Sequence, residues 1–227
     1  TESAIGITLN RPQIMQNTLQ LNRGDGTWAE IAQFARVKAT EWSWGTIFTD
    51  VDLDGYEDLI VATGMTRDFM DSDTLVRLHK VAPNATLADL LKSEDWFPPL
   101  PTRNIAYRNR GDLTFADAGD DWGFDTENVS GGIAQADFDN DGDLDLIFNS
   151  HAAPPEIYRN ESVAPRIAVR LIGLAPNTRA IGAKVRLLGG PGGPAPMEHE
   201  IHCGGGYASG SDPLIVFGTG TVQTGLQ

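Results

Sequence analysis

The chain has 227 residues, of which 41% are hydrophobic, and a formal net charge of −14. That length allows one or two domains, and 25 glycines with 13 prolines point to many turns. No basic run with interleaved aromatics offers a nucleic-acid groove, no apolar run reaches membrane-spanning length, and the one cysteine excludes an intrachain disulfide. The chain opens at Thr1 without a signal peptide, so a processed product or an excised fragment is expected.

Residues 1–21 hold two short apolar alternations, Ile5 to Leu9 and Leu19 to Leu21. Asn22-Arg-Gly-Asp-Gly-Thr-Trp28 follows, in which Gly24-Asp-Gly26 predicts a tight hairpin and Trp28 opens the next strand. Trp44-Gly-Thr-Ile-Phe48 then leads into Asp50-Val-Asp-Leu-Asp-Gly-Tyr-Glu-Asp58, and the apolar run Leu59 to Ala62 leaves it. Residues 65–103 form an insertion. Residues 68–80 fit a short helix, and Thr86-Leu-Ala-Asp89 reads as a helix cap ahead of Leu90 and Leu91. Long insertions in compact domains are often functional.

The pattern then returns. Asn109-Arg-Gly-Asp-Leu-Thr-Phe115 repeats the hairpin, and Asp137-Phe-Asp-Asn-Asp-Gly-Asp-Leu-Asp145 repeats the acidic stretch. Both recur at a spacing of 87 residues, so the chain contains an internal repeat. Ile157-Tyr-Arg-Asn160 begins a third, partial copy. Each unit is expected to run strand, hairpin, aromatic strand, glycine-containing approach, acidic loop, apolar strand. Short repeated strands with aromatic punctuation predict propeller blades. After residue 163 the composition changes. Ile167 to Ile172, Ala183 to Leu188, Glu198 to Cys203 and Leu214 to Phe217 predict a small antiparallel β domain. The expected fold is therefore all-β: propeller blades with a short helical insertion over 1–163, and a small antiparallel β domain over 164–227.

The acidic stretches carry the chemistry. Asp at positions 1, 3 and 5 aims hard oxygen donors at one centre, the glycine at position 6 allows a sharp turn, and the position-7 carbonyl can face the ion. Position 12 is Val61 or Phe148, where a helix–loop–helix calcium site needs glutamate, so the late donor is instead the Asp at position 9. The expected ligands are Asp50, Asp52, Asp54, Tyr56 and Asp58 in the first loop. In the second they are Asp137, Asp139, Asp141, Asp143 and Asp145. Metal-free Asp/Gly turns are common, but carboxylates this crowded repel without a counter-cation. Two Ca²⁺ ions are expected, with Mg²⁺ disfavoured because it retains water and takes few carboxylates.

These residues resemble the FG-GAP/VCBS repeat proteins, the β-propeller group that includes the integrin α-chain head. The carriers are Asn22 to Trp28, Gly132-Ile-Ala-Gln-Ala-Asp137 and the two acidic loops. Ile181-Gly-Ala-Lys-Val185, Gly204-Gly-Gly-Tyr-Ala-Ser209 and Phe217-Gly-Thr-Gly220 resemble the ASPIC/UnbV domain that follows such repeats in the cartilage acidic protein family. The resemblance implies a calcium-stabilised propeller with a C-terminal β cap, extracellular, on the cell surface or periplasmic. A propeller needs about four to eight blades. Two recognisable blades and a partial one therefore imply the remainder of a larger propeller, or self-association.

Other signals are weaker. Arg23-Gly-Asp25 and Arg110-Gly-Asp112 spell an adhesion tripeptide, but their shared place in the repeat favours a turn role. His199, His202 and Cys203 would split across a strand, against a zinc site. The blade tryptophans are expected in the core, and Trp96 in the insertion is the best candidate for an exposed binding residue. No acid–base constellation is visible. The expected function is non-catalytic calcium-dependent binding of a protein or glycan. A carbohydrate lyase or dehydratase on a propeller scaffold, or a purely structural C-terminal part, are the alternatives.

Overall fold

The computed structural model describes residues 15–81, 86, 89, 92–189 and 196–219. Ile5 to Leu9, Leu87, Leu90, Leu91 and the final residue of the Phe217-Gly-Thr-Gly220 motif fall outside that set. The described chain is built from short strands. Gln20–Asn22 (β1) and Trp28–Glu30 (β2) form an antiparallel hairpin. A one-turn helix, Ala32–Ala35 (α1), leads to Ser43–Thr49 (β3). Asp58–Thr63 (β4), Thr102–Arg103 (β5), Ile105–Asn109 (β6) and Phe115–Asp117 (β7) follow. The sheet order is β3-β4-β6-β7, antiparallel throughout. Glu127–Asn128 (β8) pairs with β5. Ser130–Ala136 (β9), Asp145–Ser150 (β10) and Glu156–Tyr158 (β11) make a second, three-stranded sheet.

The period expected from sequence holds, but its phase differs. Each sheet opens on the approach strand, not on the strand before the Asn-Arg-Gly-Asp turn. Both turn types are reversals inside one sheet: the acidic loop joins β3 to β4, and the Asn109–Thr114 turn joins β6 to β7. The chain changes sheet between them, after β2 and after β7. The hairpin β1–β2 therefore has the form of the closing half of one unit, β3 to β7 is a complete unit, and β9 to β11 is a unit with no fourth strand among the described residues.

Strand β4 shows why the sheets stack. It is buried along its whole length, and its alternating side chains enter two different cores. Ile60 and Ala62 join Ala106, Phe124, Ile133, Leu146 and Phe148. Leu59 and Val61 join Ala32, Ala35, Val37 and Phe115. In the first core Phe148 meets Phe124 and Tyr158 edge-on, and those two rings stack at 4.4 Å. Burying a side chain of this kind contributes about 1.5–3 kcal/mol.

The insertion sits between β4 and β6. Its helix, Ser72–Val81 (α2), starts where the Asp71 carboxylate accepts the Thr74 N–H at 2.8 Å. A 3₁₀ turn spans Ser93–Trp96. Thr86 and Asp89 bond reciprocally, as the predicted cap requires. Trp96 is half-buried, with the Arg77 guanidinium 4.0 Å above its ring, so its face is already occupied. Trp28 departs from its expectation in the other direction. It is 61% exposed, because among the described residues β2 pairs only with β1.

The C-terminal segment forms two antiparallel pairs. Arg166–Arg170 (β12) pairs with Leu214–Gly218 (β15), and Lys184–Leu187 (β13) pairs with Met197–Glu200 (β14). They enclose a separate core of Ile201, Ile215 and Phe217, with Val169, Leu171, Val185 and Leu187 against it. The described residues are all-β apart from the short helices, and no closed barrel forms among them, as a partial propeller requires.

Candidate metal centre

The two acidic loops close on the same set of hydrogen bonds. At position 1, Asp50 accepts the Asp54 and Gly55 N–H groups at 3.0 and 2.9 Å, and Asp137 accepts those of Asp141 and Gly142 at 3.1 Å each. At position 5, Asp54 accepts from the Tyr56 N–H and Asp141 from the Asp143 N–H. At position 9, the buried Asp58 accepts the Val51 N–H, and the buried Asp145 accepts the Phe138 N–H. The turn needs left-handed backbone at positions 4 and 6. Gly55 and Gly142 supply it at φ of 94° and 93°, and Leu53 and Asn140 adopt φ of 58° and 63°.

The outcome is a carboxylate triad in each loop. Oxygens of Asp50, Asp52 and Asp58 lie within 4.8 Å of one another, and so do those of Asp137, Asp139 and Asp145. Donors around one calcium ion at about 2.3–2.6 Å lie up to roughly 5 Å apart, so the oxygens of each triad are close enough to share one ion. Asp54 and Asp141 stand outside the triads, with an oxygen committed to the turn. The Tyr56 side chain is exposed, and its ring packs on Gly111, where a Cβ would come within 2.8 Å of Cζ. Asp143 is wholly buried, and neither of its oxygens has a hydrogen-bond partner.

Burial pushes Asp50 and Asp58 up to about 7, helped by repulsion from their neighbouring carboxylates. Burial, with repulsion from Asp141, also pushes Asp143 up to about 7, while Arg166 opposes the rise. Without a cation, then, these groups hold protons near neutrality that a divalent ion would displace. Asp52 Oδ1 is buried without a hydrogen-bond partner. An orphaned acceptor inside a carboxylate triad fits a hard cation and fits a plain turn poorly.

Several residues that shape the triads were not singled out from the sequence. The Asn109 N–H donates to Asp58 Oδ1 at 2.8 Å, and the Asn160 N–H donates to Asp145 Oδ1 at the same distance. Arg108 pairs with Asp52 at 2.8 Å, and Arg159 lies 3.8 Å from Asp139. The signal was the recurring Tyr-Arg-Asn string, which lies within β6 in the first unit and runs out of the end of β11 in the second, beside the strand leaving each loop. Asn160 also donates from Nδ2 to the Val51 carbonyl, tying the second unit to the first loop.

The Arg-Gly-Asp triplets are turns. Asp25 and Asp112 each accept the N–H and hydroxyl of a threonine two residues on, Thr27 and Thr114. These bonds hold both carboxyls below the usual range. His199 packs on the Phe217 ring, 3.3 Å from Glu57, while Cys203 is exposed. Neither joins a metal-ligating group among the described residues.

Two family models match the chain: the FG-GAP-like repeat over residues 7–61, and ASPIC and UnbV over residues 173–226. The second acidic loop lies outside both ranges and is tied to the first by its geometry. The chain is also similar to human cartilage acidic protein 1, at 35% identity over 68 residues. That stretch is 30% of this chain and 10% of that protein, so the chain matches about a tenth of its relative's length.

Proposed function

We propose that a chain joining an FG-GAP-like repeat to an ASPIC and UnbV segment serves here as a calcium-binding, non-catalytic part of an extracellular β-propeller protein, presenting its surface to a protein or glycan. The observation that carries this reading is the duplicated triad. The same turn bonds, in two successive sheets, gather three carboxylates each and leave a buried oxygen of Asp52 without a hydrogen-bond partner. Asp50, Asp52 and Asp58 would hold one ion, and Asp137, Asp139 and Asp145 the other. Asp54, Asp141 and the carbonyls of Tyr56 and Asp143 would complete the shells. The role is structural: an ion bound only by the folded state adds its binding free energy to stability. Extracellular free calcium fills even weak loops of this type. The likeness to cartilage acidic protein 1 supports the extracellular assignment. No described helix is long and apolar enough to cross a membrane.

Calcium titration calorimetry and a thermal melt with and without chelator test this. Two sites are expected, both lost in Asp52→Asn plus Asp139→Asn. At a hundredfold excess over Kd each site adds about 2.7 kcal/mol, or roughly 5–10 °C in Tm for a chain of this size. An unchanged melt and no binding heat would sink the reading.

One observation favours an enzyme instead. The Glu57–His199 pair lines a cleft of about 670 Å³ between β3 and the C-terminal strands. A proton-transferring lyase needs such a pair in a cleft. Loss of turnover on acidic glycans in Glu57→Gln would support that reading, and absence of turnover in the parent chain would exclude it for those substrates.

A further inference from the structure

The two loops meet the C-terminal strands at one point. Gly218 on β15 and Arg166 on β12 are direct cross-strand partners. Gly218 abuts the first loop: a Cβ there would collide with Asp50 Oδ2 and come within 2.6 Å of the Leu53 carbonyl oxygen. Arg166 reaches the second loop. Its Nη2 donates to the Asp141 carbonyl at 2.7 Å and lies 3.4 and 3.5 Å from the Asp141 and Asp143 carboxylates. The position-6 glycine of each loop faces one member of the same pair. A Cβ on Gly55 would sit 3.7 Å from the Gly218 carbonyl, and one on Gly142 would sit 3.6 Å from Arg166 Nε.

Position 7 follows the same division. Each loop carries five carboxylates, but the second places one at position 7, Asp143, where the first has Tyr56. Arg166, only 17% exposed, is the cation that covers it. Asp143 lies wholly buried beneath that guanidinium and has no hydrogen-bond partner of its own. Its carboxylate thus faces the C-terminal strand and stands apart from the triad.

We propose that calcium occupancy of the two loops and docking of the β12–β15 pair are coupled, each strengthening the other, with Gly218 sensing the first loop and Arg166 the second. This rests on the calcium reading above. The left-handed turn that gathers each triad is the same turn whose outer surface fits the strand pair. An ion that favours that turn therefore favours docking, and linkage requires the reverse. Gly218 and Arg166 are positioning residues, not ligands.

The test uses the full 227-residue chain and calcium alone. Hydrogen exchange is followed with and without the ion, and calcium affinity is read with one loop disabled at a time. Calcium is expected to slow amide exchange in β12 and β15 as well as in the loops. Gly218→Val should weaken calcium roughly tenfold where only the first loop remains (Asp139→Asn background). Where only the second remains (Asp52→Asn background) the loss should be smaller, because it reaches that loop only through the shared strand pair. Should Gly218→Val fail to fold, Arg166→Gln carries the test: calcium still binds the second loop, but no longer protects β12. Coupling is overturned if calcium binds while exchange in both strands ignores it, or if Gly218→Val leaves calcium affinity at the second loop untouched, as a purely local clash with the first loop would. No calcium heat in the parent chain would overturn the calcium reading and this proposal together.

Discussion

The loop at Asp50–Asp58 and the loop at Asp137–Asp145 share five side-chain hydrogen bonds, at positions 1, 5 and 9, and differ in what surrounds them. In the first, position 4 is Leu53, whose side chain is buried and whose carbonyl lies against Gly218. In the second it is the exposed Asn140, a residue better suited to left-handed backbone. Position 7 changes from exposed Tyr56 to buried Asp143. The Asn109 side chain returns to its own loop at the Glu57 carbonyl, whereas that of Asn160 crosses to Val51. The lesson is one of hierarchy. Side chains that bond to backbone amides define the turn and are duplicated. Positions that face a neighbour vary with that neighbour.

The strongest way to break this comparison is at position 9. Asp58→Ala and Asp145→Ala each strand two backbone N–H groups and remove a triad member. With calcium present, each should cost about 3 kcal/mol, read from denaturant unfolding. Equal losses would place the shared frame above the local differences, and a large imbalance would reverse that order. Acidity comes next. In the calcium-free chain Asp50 and Asp58 titrate near 7, above the ordinary 3.8. The folded state binds protons that the unfolded state has released, so metal-free stability should fall as pH rises from about 4 through about 7. Calcium has the opposite sign. Its affinity should weaken as pH falls below about 7, with proton release on binding, both measurable by calorimetry in buffers of different ionisation heat. The smallest effect separates Arg108 from Arg159. Arg108→Gln should change stability by under about 1 kcal/mol and raise calcium affinity at the first loop by removing the 2.8 Å competitor of Asp52. Arg159→Gln should do less, because Arg159 is 3.8 Å from Asp139 and is shared with Glu161.

Much of this was legible in the chain. Alternate aspartates around Gly55 and Gly142 specify a turn that collects oxygen donors, because both the donors and the left-handed residue are local. The strands of the C-terminal segment were equally plain, since a half-buried strand alternates visibly. The phase of the repeat was not. A period of 87 residues reads the same from any starting point, and only the pairing of β6 with β4 shows where a sheet opens. The exposure of Trp28 and the cover over Trp96 were hidden for a related reason. Each depends on what lies beside the strand or turn, in one case no third strand among the described residues and in the other Arg77 from a helix. Arg166 was invisible as a partner of Asp143 because the approach of β12 to the second loop is a tertiary contact with no local pattern.

The glycine on β3 has a geometric consequence of its own. A Cβ on Gly45 would come within 2.6 Å of the Gly131 carbonyl oxygen and 3.2 Å of the Ile133 nitrogen, so β3 and β9 approach backbone to backbone. The angular step from one sheet to the next is thus set at its narrow end by the absence of side chains. A methyl group there would act as a wedge. Because each further repeat would inherit the same step, a small error at that point would accumulate around the arc and decide whether a ring of such sheets could meet itself.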